Sequence, residues 1–454
     1  MPAYPAQTHS SKRGPMIPQL QQEASLSSET APQWSTATKV AFRFAFTYFL
    51  LYVYPRPVGS LGAFVHYNNP LRDMWHAVVP WFGAHVLHLT GDLNEVANGS
   101  GDQLYDYVQL LCIAIAAALV TVVWSALDRK RRNYEQLYQW MRVFARIVVA
   151  VAMLYYGADK LWRMQFPEPG LARYVGTIGR TSPMGLLWTT MGTSRAYSFF
   201  GGVGEVLGGL LLLVPRFTAL GALVTGAVMT NVLMLNLGYD VPRKIYSIHL
   251  IAFCLFLLIP DIRRITEFFL LNRKTQLTPP APVFRDRKMN YGVSALQVLI
   301  GLVVLVAGSV AAYKDQVKAE THVAAAVRGI WSVDQFALEN VSRPPLVTDN
   351  ERWLNVVFDE PNALVIQTMD GVQEKYYLQL DTANRKFRLW NTADTHWSAS
   401  FTYQLPATDR ITLEGQFGGK HISAELQRIA LSDPERFLLL NRGVHWINQF
   451  PQKR

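Results

Sequence analysis

Residues 199–215 read Phe199-Phe-Gly-Gly-Val-Gly-Glu205-Val-Leu-Gly-Gly-Leu-Leu-Leu-Leu-Val-Pro215. This is an apolar helix with one acid near its middle. The helical neighbours of Glu205, three and four residues away on each side, are Gly201, Gly202, Gly208 and Gly209. On a helix these five positions share one face. With no side chains there, a second helix can approach the backbone closely, or a flat ligand can lie in the groove. Four glycines weaken a helix in water. A bilayer offsets this, because unpaired backbone groups cost more in hydrocarbon. An acid inside a membrane is expensive and faces a polar partner. The membrane part of the chain is expected to be built around this face.

Outward from it, the sequence offers seven spans, each near the ~20 residues a bilayer needs. They cover 38–55, 104–127, 142–160, 196–215, 217–238, 243–261 and 292–313. Lys39 and Arg43 interrupt the first, and both can snorkel to the interface. Basic loops follow the second span (Asp128-Arg-Lys-Arg-Arg132), the fourth (Arg216) and the sixth (Arg263 to Lys288). The positive-inside rule places these loops in the cytoplasm. They alternate correctly with span parity, so the N-terminus is expected inside and the C-terminus outside. The loop 56–103 then lies outside.

Composition agrees. Of 454 residues, 50% are hydrophobic and 17% charged, with a net charge of +10. Of the 43 basic and 33 acidic residues, 16 and 17 fall in 314–454, leaving 27 and 16 for 1–313. The excess positive charge therefore sits among the apolar segments, as span flanks do, and does not point to a nucleic-acid partner. The length suits two domains. Cys112 and Cys254 lie in separate apolar segments without a CxxC, so neither a disulfide framework nor a dithiol centre is expected. Residues 1–35 are rich in Pro, Ser, Gln and Thr. They read as a disordered cytoplasmic tail and lack the pattern of a cleaved signal peptide.

Residues 318–454 change texture. Alternating runs at 353–358, 363–367, 375–380, 386–390, 398–403 and 410–414 are separated by turns such as Asp370-Gly and Gly418-Gly. This predicts an antiparallel meander of about eight strands, closing as a small or partly open barrel. The expected organisation is thus a tail (1–35), a helical membrane bundle (36–313) and an external β domain (318–454).

Polar residues of four spans converge on the external leaflet. At ~1.5 Å per residue, Glu205 lies roughly 12–14 Å below the outer end of its span. Lys160 ends the third span, Asn231, Asn236 and Asp240 lie late in or just after the fifth, and Lys244 and His249 early in the sixth. Arg146, Met153, Gly157 and Lys160 share one face. Asn231 and Asn236 are about 140° apart, so both cannot meet one partner. One reading is a pocket in which Lys160, Glu205 and His249 bind or protonate a polar head such as a quinone or a lipid. The other is a buried knot of ion pairs and hydrogen bonds holding the bundle. The connector 161–195 is too poor in apolar residues to span. It suits an interfacial helix capped by Ser182 with Pro183 at its first position, able to lid the pocket. The external loop carries His66, His76, His85 and His88, but no carboxylate or cysteine joins them at metal spacing, and no metal is expected. No Ser-His-Asp order, Walker A or GxGxxG at a strand-to-helix turn is present, so no catalytic set is legible.

Tyr156-Gly-x-x-Lys160, Gln165-Phe-Pro, Ser182-Pro-Met-Gly-Leu-Leu-Trp, Gly201-x-x-x-Glu205-x-x-Gly-Gly-Leu-Leu-Leu and Asn236-x-x-x-Asp240-Val-Pro together resemble the DoxX family of bacterial membrane proteins. The likeness covers about 140–270, a four-helix unit; the extra spans and the β domain lie outside it. It implies a multi-pass protein of the bacterial inner (plasma) membrane, associated with quinone-linked redox or envelope systems. A quinone is the cofactor class it suggests, and membrane lipid and redox subunits are the partners. Its motif defines no catalytic residues. In the β domain, Gly329-Ile-Trp331 and Asn441-Arg-Gly-Val-His-Trp446 resemble the lipocalin arrangement, in which an early Trp is covered by a late Arg, here Trp331 and Arg442. Two alternatives stay open. The chain is a lipid carrier or scaffold working through the barrel, or it is an enzyme with Lys160 or His249 as base and Glu205 as acid.

Overall fold

The computed structural model describes residues 33–54, 70–91, 93–95, 101–276, 282–319, 321–391, 397–433 and 435–441. The expected tail lies, except for residues 33–35, outside them. So do His66 and Arg442.

The helices are α1 (Thr36–Val53), α2 (Pro70–His85), α3 (Leu104–Leu127), α4 (Glu135–Leu161), α5 (Pro183–Thr193), α6 (Arg195–Leu213), α7 (Thr218–Gly238), α8 (Lys244–Leu258), α9 (Ile262–Phe269) and α10 (Arg287–Ala319). Among the described residues, six helical stretches are long and apolar enough to cross a membrane: Leu104–Leu127, Glu135–Leu161, Arg195–Leu213, Pro215–Gly238, Lys244–Phe269 and Arg287–Lys318. The predicted first span, α1, is not among them, because Lys39 and Arg43 lower its hydropathy. Arg43 does not snorkel. It is 4% exposed and donates to Tyr134 Oη, Ser125 Oγ (2.7 Å) and the Asp128 carbonyl (2.9 Å). Helix α2 falls inside the predicted loop 56–103. There His76 pairs with Glu95 at 2.9 Å, a contact across 19 residues that local spacing does not reveal. The predicted sixth span, 243–261, is α8 followed by a 3₁₀ turn (Ile259–Asp261) at Pro260, which lacks an N–H, and the short α9 continues beyond it.

The hub is α4. Of its membrane-length window 72% is buried, against 22–39% for the other five. Helix α6 lies along it because glycines leave room. A Cβ on Gly202 would stand 3.0 Å from the Gly157 carbonyl and 3.0 Å from Lys160 Cβ. One on Gly209 would stand 3.1 Å from the Ala150 carbonyl, and one on Gly157 would meet Val206 Cγ2 at 2.6 Å. Gly208 faces α7 instead, where a Cβ would stand 2.5 Å from Thr225 Oγ1. Gly201 is loose, its nearest neighbour being Lys160 Cδ at 3.7 Å. The bare surface around Glu205 is thus filled by two helices and is not a slot for a flat ligand.

Among the described residues, the β domain has nine strands: β1 (Gly329–Leu338), β2 (Val341–Ser342), β3 (Trp353–Phe358), β4 (Ala363–Thr368), β5 (Gln373–Asp381), β6 (Lys386–Trp390), β7 (Ser398–Ala407), β8 (Arg410–Phe417) and β9 (Lys420–Arg428). Apart from the two-residue β2, they form an antiparallel meander that closes through β1 and β9, with Trp331 opposite Arg428 and Leu338 opposite Ile422. Closure removes the free edges. Alternate residues point inward, and Trp331, Phe336, Trp353, Phe358, Phe387 and Phe401 help fill the interior. Arg428 lies over the Trp331 ring, 4.5 Å from its centroid, while the expected Arg442 falls outside the described residues. Arg352 is buried and donates to the backbone carbonyls of Arg343, Trp353, Val333 and Asp334.

The barrel stands on the connector between α4 and α5. Asp359 Oδ2 accepts from the Leu171 N–H (2.9 Å), Gln373 donates to the Ala172 carbonyl (2.9 Å) and Gln367 to the Val175 carbonyl (3.0 Å). Leu171 completes an apolar cluster with Ile330, Val357, Ile429 and Phe437.

Candidate ligand pocket

Lys160, in the last turn of α4, points its Nζ at Glu205 Oε1 across the glycine contact, at 2.5 Å. Both are buried, at 6% and 2% exposure. Gly202 lets this happen, since a side chain there would collide with the Lys160 stem. The pair forms one wall of a cavity of about 270 Å³. Asn236 on α7 joins that wall, donating to Ser247 Oγ at 2.9 Å. Ser247 lines the cavity too, and the remaining polar lining is Tyr156, Asp159, Gln165, Arg243 and Tyr246. The apolar lining includes Met153, Phe166, Met184, Met191 and Met229, and flexible methionines adapt to irregular ligands.

Three polar atoms on this lining have no hydrogen-bond partner among the described residues: Glu205 Oε2, Gln165 Oε1 and the Tyr246 hydroxyl. Buried polar groups are normally paired. Two of the three are acceptors and one can donate, so a small molecule with both a donor and an acceptor would satisfy them.

The structure brings Lys160, Glu205 and Asn236 together and leaves the other expected residues aside. Asn231 is exposed on another side of α7. Asp240 is exposed and pairs with Lys244 at 2.9 Å, one helical turn on. His249 is buried but off the cavity wall. Its ring stacks on Tyr52, with centroids 3.7 Å apart. Its Nδ1 donates to the Ile245 carbonyl (2.7 Å), which leaves Nε2 to accept from the Tyr48 hydroxyl (2.8 Å). That fixes the neutral tautomer and makes His249 a structural group between α1 and α8.

Helix α5 closes one side, with Met184, Leu187, Trp188 and Met191 on the cavity. It starts as expected, Ser182 Oγ accepting from the Gly185 N–H with Pro183 in the first turn. Sequence reasoning missed Tyr246, Gln165 and Asp159. Gln165 stands in the motif Gln165-Phe-Pro, but nothing local tells that it lines the cavity. Asp159 precedes Lys160 directly, and adjacent helical positions do not ordinarily share a face.

These features define a helical bundle of membrane-crossing length, with a buried ion pair beside a small mixed cavity and a closed β-barrel on one end. The chain is 34% identical over 126 residues to YwoB, an uncharacterized protein of Bacillus subtilis strain 168; the match covers 27% of this chain and 79% of that protein. The chain belongs to the family of that protein. No family model matches it, and no solved structure does.

Proposed function

We propose that the cavity beside Lys160 and Glu205 binds the polar head of a membrane-soluble quinone or lipid, and that the chain is a DoxX-like subunit of a redox or envelope system. The observation that carries this reading is the trio of unpartnered polar atoms facing a mostly apolar cavity. A quinone carbonyl can accept from Tyr246, and a quinol hydroxyl can donate to Glu205 Oε2. The carboxylate, already held by Lys160, is suited to share that proton. Basic loops at the end of the bundle away from the barrel support an orientation with that end in the cytoplasm and the barrel outside the bacterial inner membrane. The cavity then lies in the outer leaflet.

The barrel offers less as a carrier, because its interior is occupied by its own aromatic and aliphatic side chains. For an enzyme acting alone, His249 is a poor base, since both ring nitrogens are already engaged.

The test is mass spectrometry of small molecules retained on gently purified protein. We expect a quinone or lipid at near one per chain, lost in Glu205→Gln while the variant still accumulates. A folded wild-type protein that retains neither sinks the reading.

A further inference from the structure

At the end of the bundle away from the barrel, a groove of about 900 Å³ runs between the starts of α1 and α4, the 215–217 turn and the end of α8. Much of its wall is apolar, including Trp34, Phe42, Tyr138 and Phe256. The charge on it is unbalanced. Arg264 pairs with Asp261 at 3.3 Å, while Glu135 accepts from the neutral Gln139 amide at 2.7 Å and keeps its charge. Arg142 and Arg216 also line the groove and have no carboxylate partner among the described residues. Arg142 Nε is buried with no hydrogen bond, though its guanidinium lies over the Tyr138 ring at 6.0 Å. One turn further along α4, Arg146 is 7% exposed. Its one side-chain hydrogen bond among the described residues is a long one, 3.5 Å, to Thr218 Oγ1 on the groove wall.

Arg142 and Arg216 on the wall, with Arg146 behind Thr218, thus outnumber Glu135, the one carboxylate on the wall that no cation pairs among the described residues, and leave an excess of positive charge. A buried cation left alone is costly, and the guanidinium fork fits phosphate oxygens. We propose that this groove seats an acidic phospholipid, its phosphate among Arg142, Arg146 and Arg216 and an acyl chain along Phe42 and Phe256. Residues 1–32 of the chain are a poorer occupant by charge: they carry Lys12, Arg13, Glu23 and Glu29, with no net charge to offer. The site is separate from the Lys160 cavity, since fourteen residues of helix set Arg146 about 21 Å from Lys160 along α4. It does not depend on the function proposed for that cavity.

The experiment titrates short-chain phosphatidylglycerol, phosphatidylcholine of the same chains, and inorganic phosphate into the detergent-solubilised full-length protein, reading the thermal midpoint and tryptophan fluorescence. Phosphatidylglycerol is expected to bind more tightly than phosphatidylcholine. Arg142→Gln with Arg216→Gln should weaken it about 25-fold, roughly fivefold per arginine, with phosphatidylcholine unchanged. Arg216→Gln alone, on an exposed turn, serves if the double variant does not fold. Equal binding of the two lipids by the wild type, or an undiminished preference in the variants, overturns the proposal. Inorganic phosphate acting as strongly as phosphatidylglycerol assigns the site to the free anion and overturns the lipid. A chain that binds phosphatidylglycerol only after deletion of residues 1–32 makes the tail the native occupant and overturns it too.

Discussion

Glu205 gives one carboxylate oxygen to Lys160 at 2.5 Å and keeps the other, Oε2, unpartnered on a cavity wall. The first oxygen ties α6 to α4, as a structural ion pair does. The proposed ligand site rests on the second.

That division can be tested with variants that uncouple it. Lys160→Met leaves a buried carboxylate without its cation and is expected to cost about 3–5 kcal/mol. Lys160→Met combined with Glu205→Met should recover most of that loss, because an apolar pair of similar volume replaces an ion pair with little penalty. The double variant should nevertheless retain no polar ligand. Thermal unfolding in detergent and mass spectrometry of retained molecules give the two readouts. A double variant that still carries its ligand would remove Glu205 from the site.

The glycines around Glu205 are not equivalent. Gly202→Ala forces a methyl against the Gly157 carbonyl and Lys160 Cβ, and overpacking of this kind is expected to cost about 1–3 kcal/mol. Gly201→Ala meets nothing closer than 3.7 Å and should be tolerated. Comparing the two melting midpoints decides whether helix approach, and not glycine content, is what the motif secures.

The barrel is held to the connector through Asp359, which receives the Leu171 N–H on one oxygen and the Arg328 guanidinium on the other, at 2.9 and 3.0 Å. Asp359→Ala should raise hydrogen exchange at residues 171–175 while leaving the barrel strands protected. Unchanged exchange there would show that the apolar cluster around Leu171 holds the contact by itself.

On the barrel, Glu351 accepts a hydrogen bond from Lys420 at 2.5 Å, and Arg343 sits on its other oxygen. The Lys420 hydrogen bond, ahead of the Arg343 charge, holds the Glu351 carboxyl below its ordinary 4.5. A carboxyl depressed in the folded state adds stability above its unfolded value, and that stability is lost as pH falls through the folded one. The barrel transition should therefore drop on acidification below 4.5, and Lys420→Met should shrink the drop. Asp370 and Asp381, lowered by hydrogen bonds from Thr368 and Asn384, add to the same acid limb. An acid limb identical in wild type and Lys420→Met would rule out this pair as a contributor.

Much of this architecture is legible in the residues. The membrane-length helices announce themselves by apolar length, and six strand runs by alternation. Helix α5 is given by Ser182-Pro183 and by its Trp, Met and Leu. Strand β9 escaped notice because Lys420-His-Ile-Ser-Ala-Glu-Leu-Gln-Arg428 has small residues where a stronger alternation would show. For the site, the sequence supplies the pair Lys160 and Glu205 but cannot rank the other polar residues near it. Asn231, Asp240 and His249 share a depth with Asn236, and only packing decides which way each turns. Depth follows from counting residues, while rotation about the helix axis depends on neighbours far away in the chain. The Trp331 ring shows the same limit: several arginines fall late in the chain, and it is the β1–β9 register, not spacing, that brings Arg428 to the ring.

The backbone between α4 and α5 serves two structures at once. Gln165 and Phe166 face the cavity beside Lys160, and a few residues later Leu171, Ala172 and Val175 are gripped by the barrel. Roof and foundation are one beam. The cavity cannot gape on that side without unseating what stands above it, so a protein that clasps the barrel from outside has its hand on the latch.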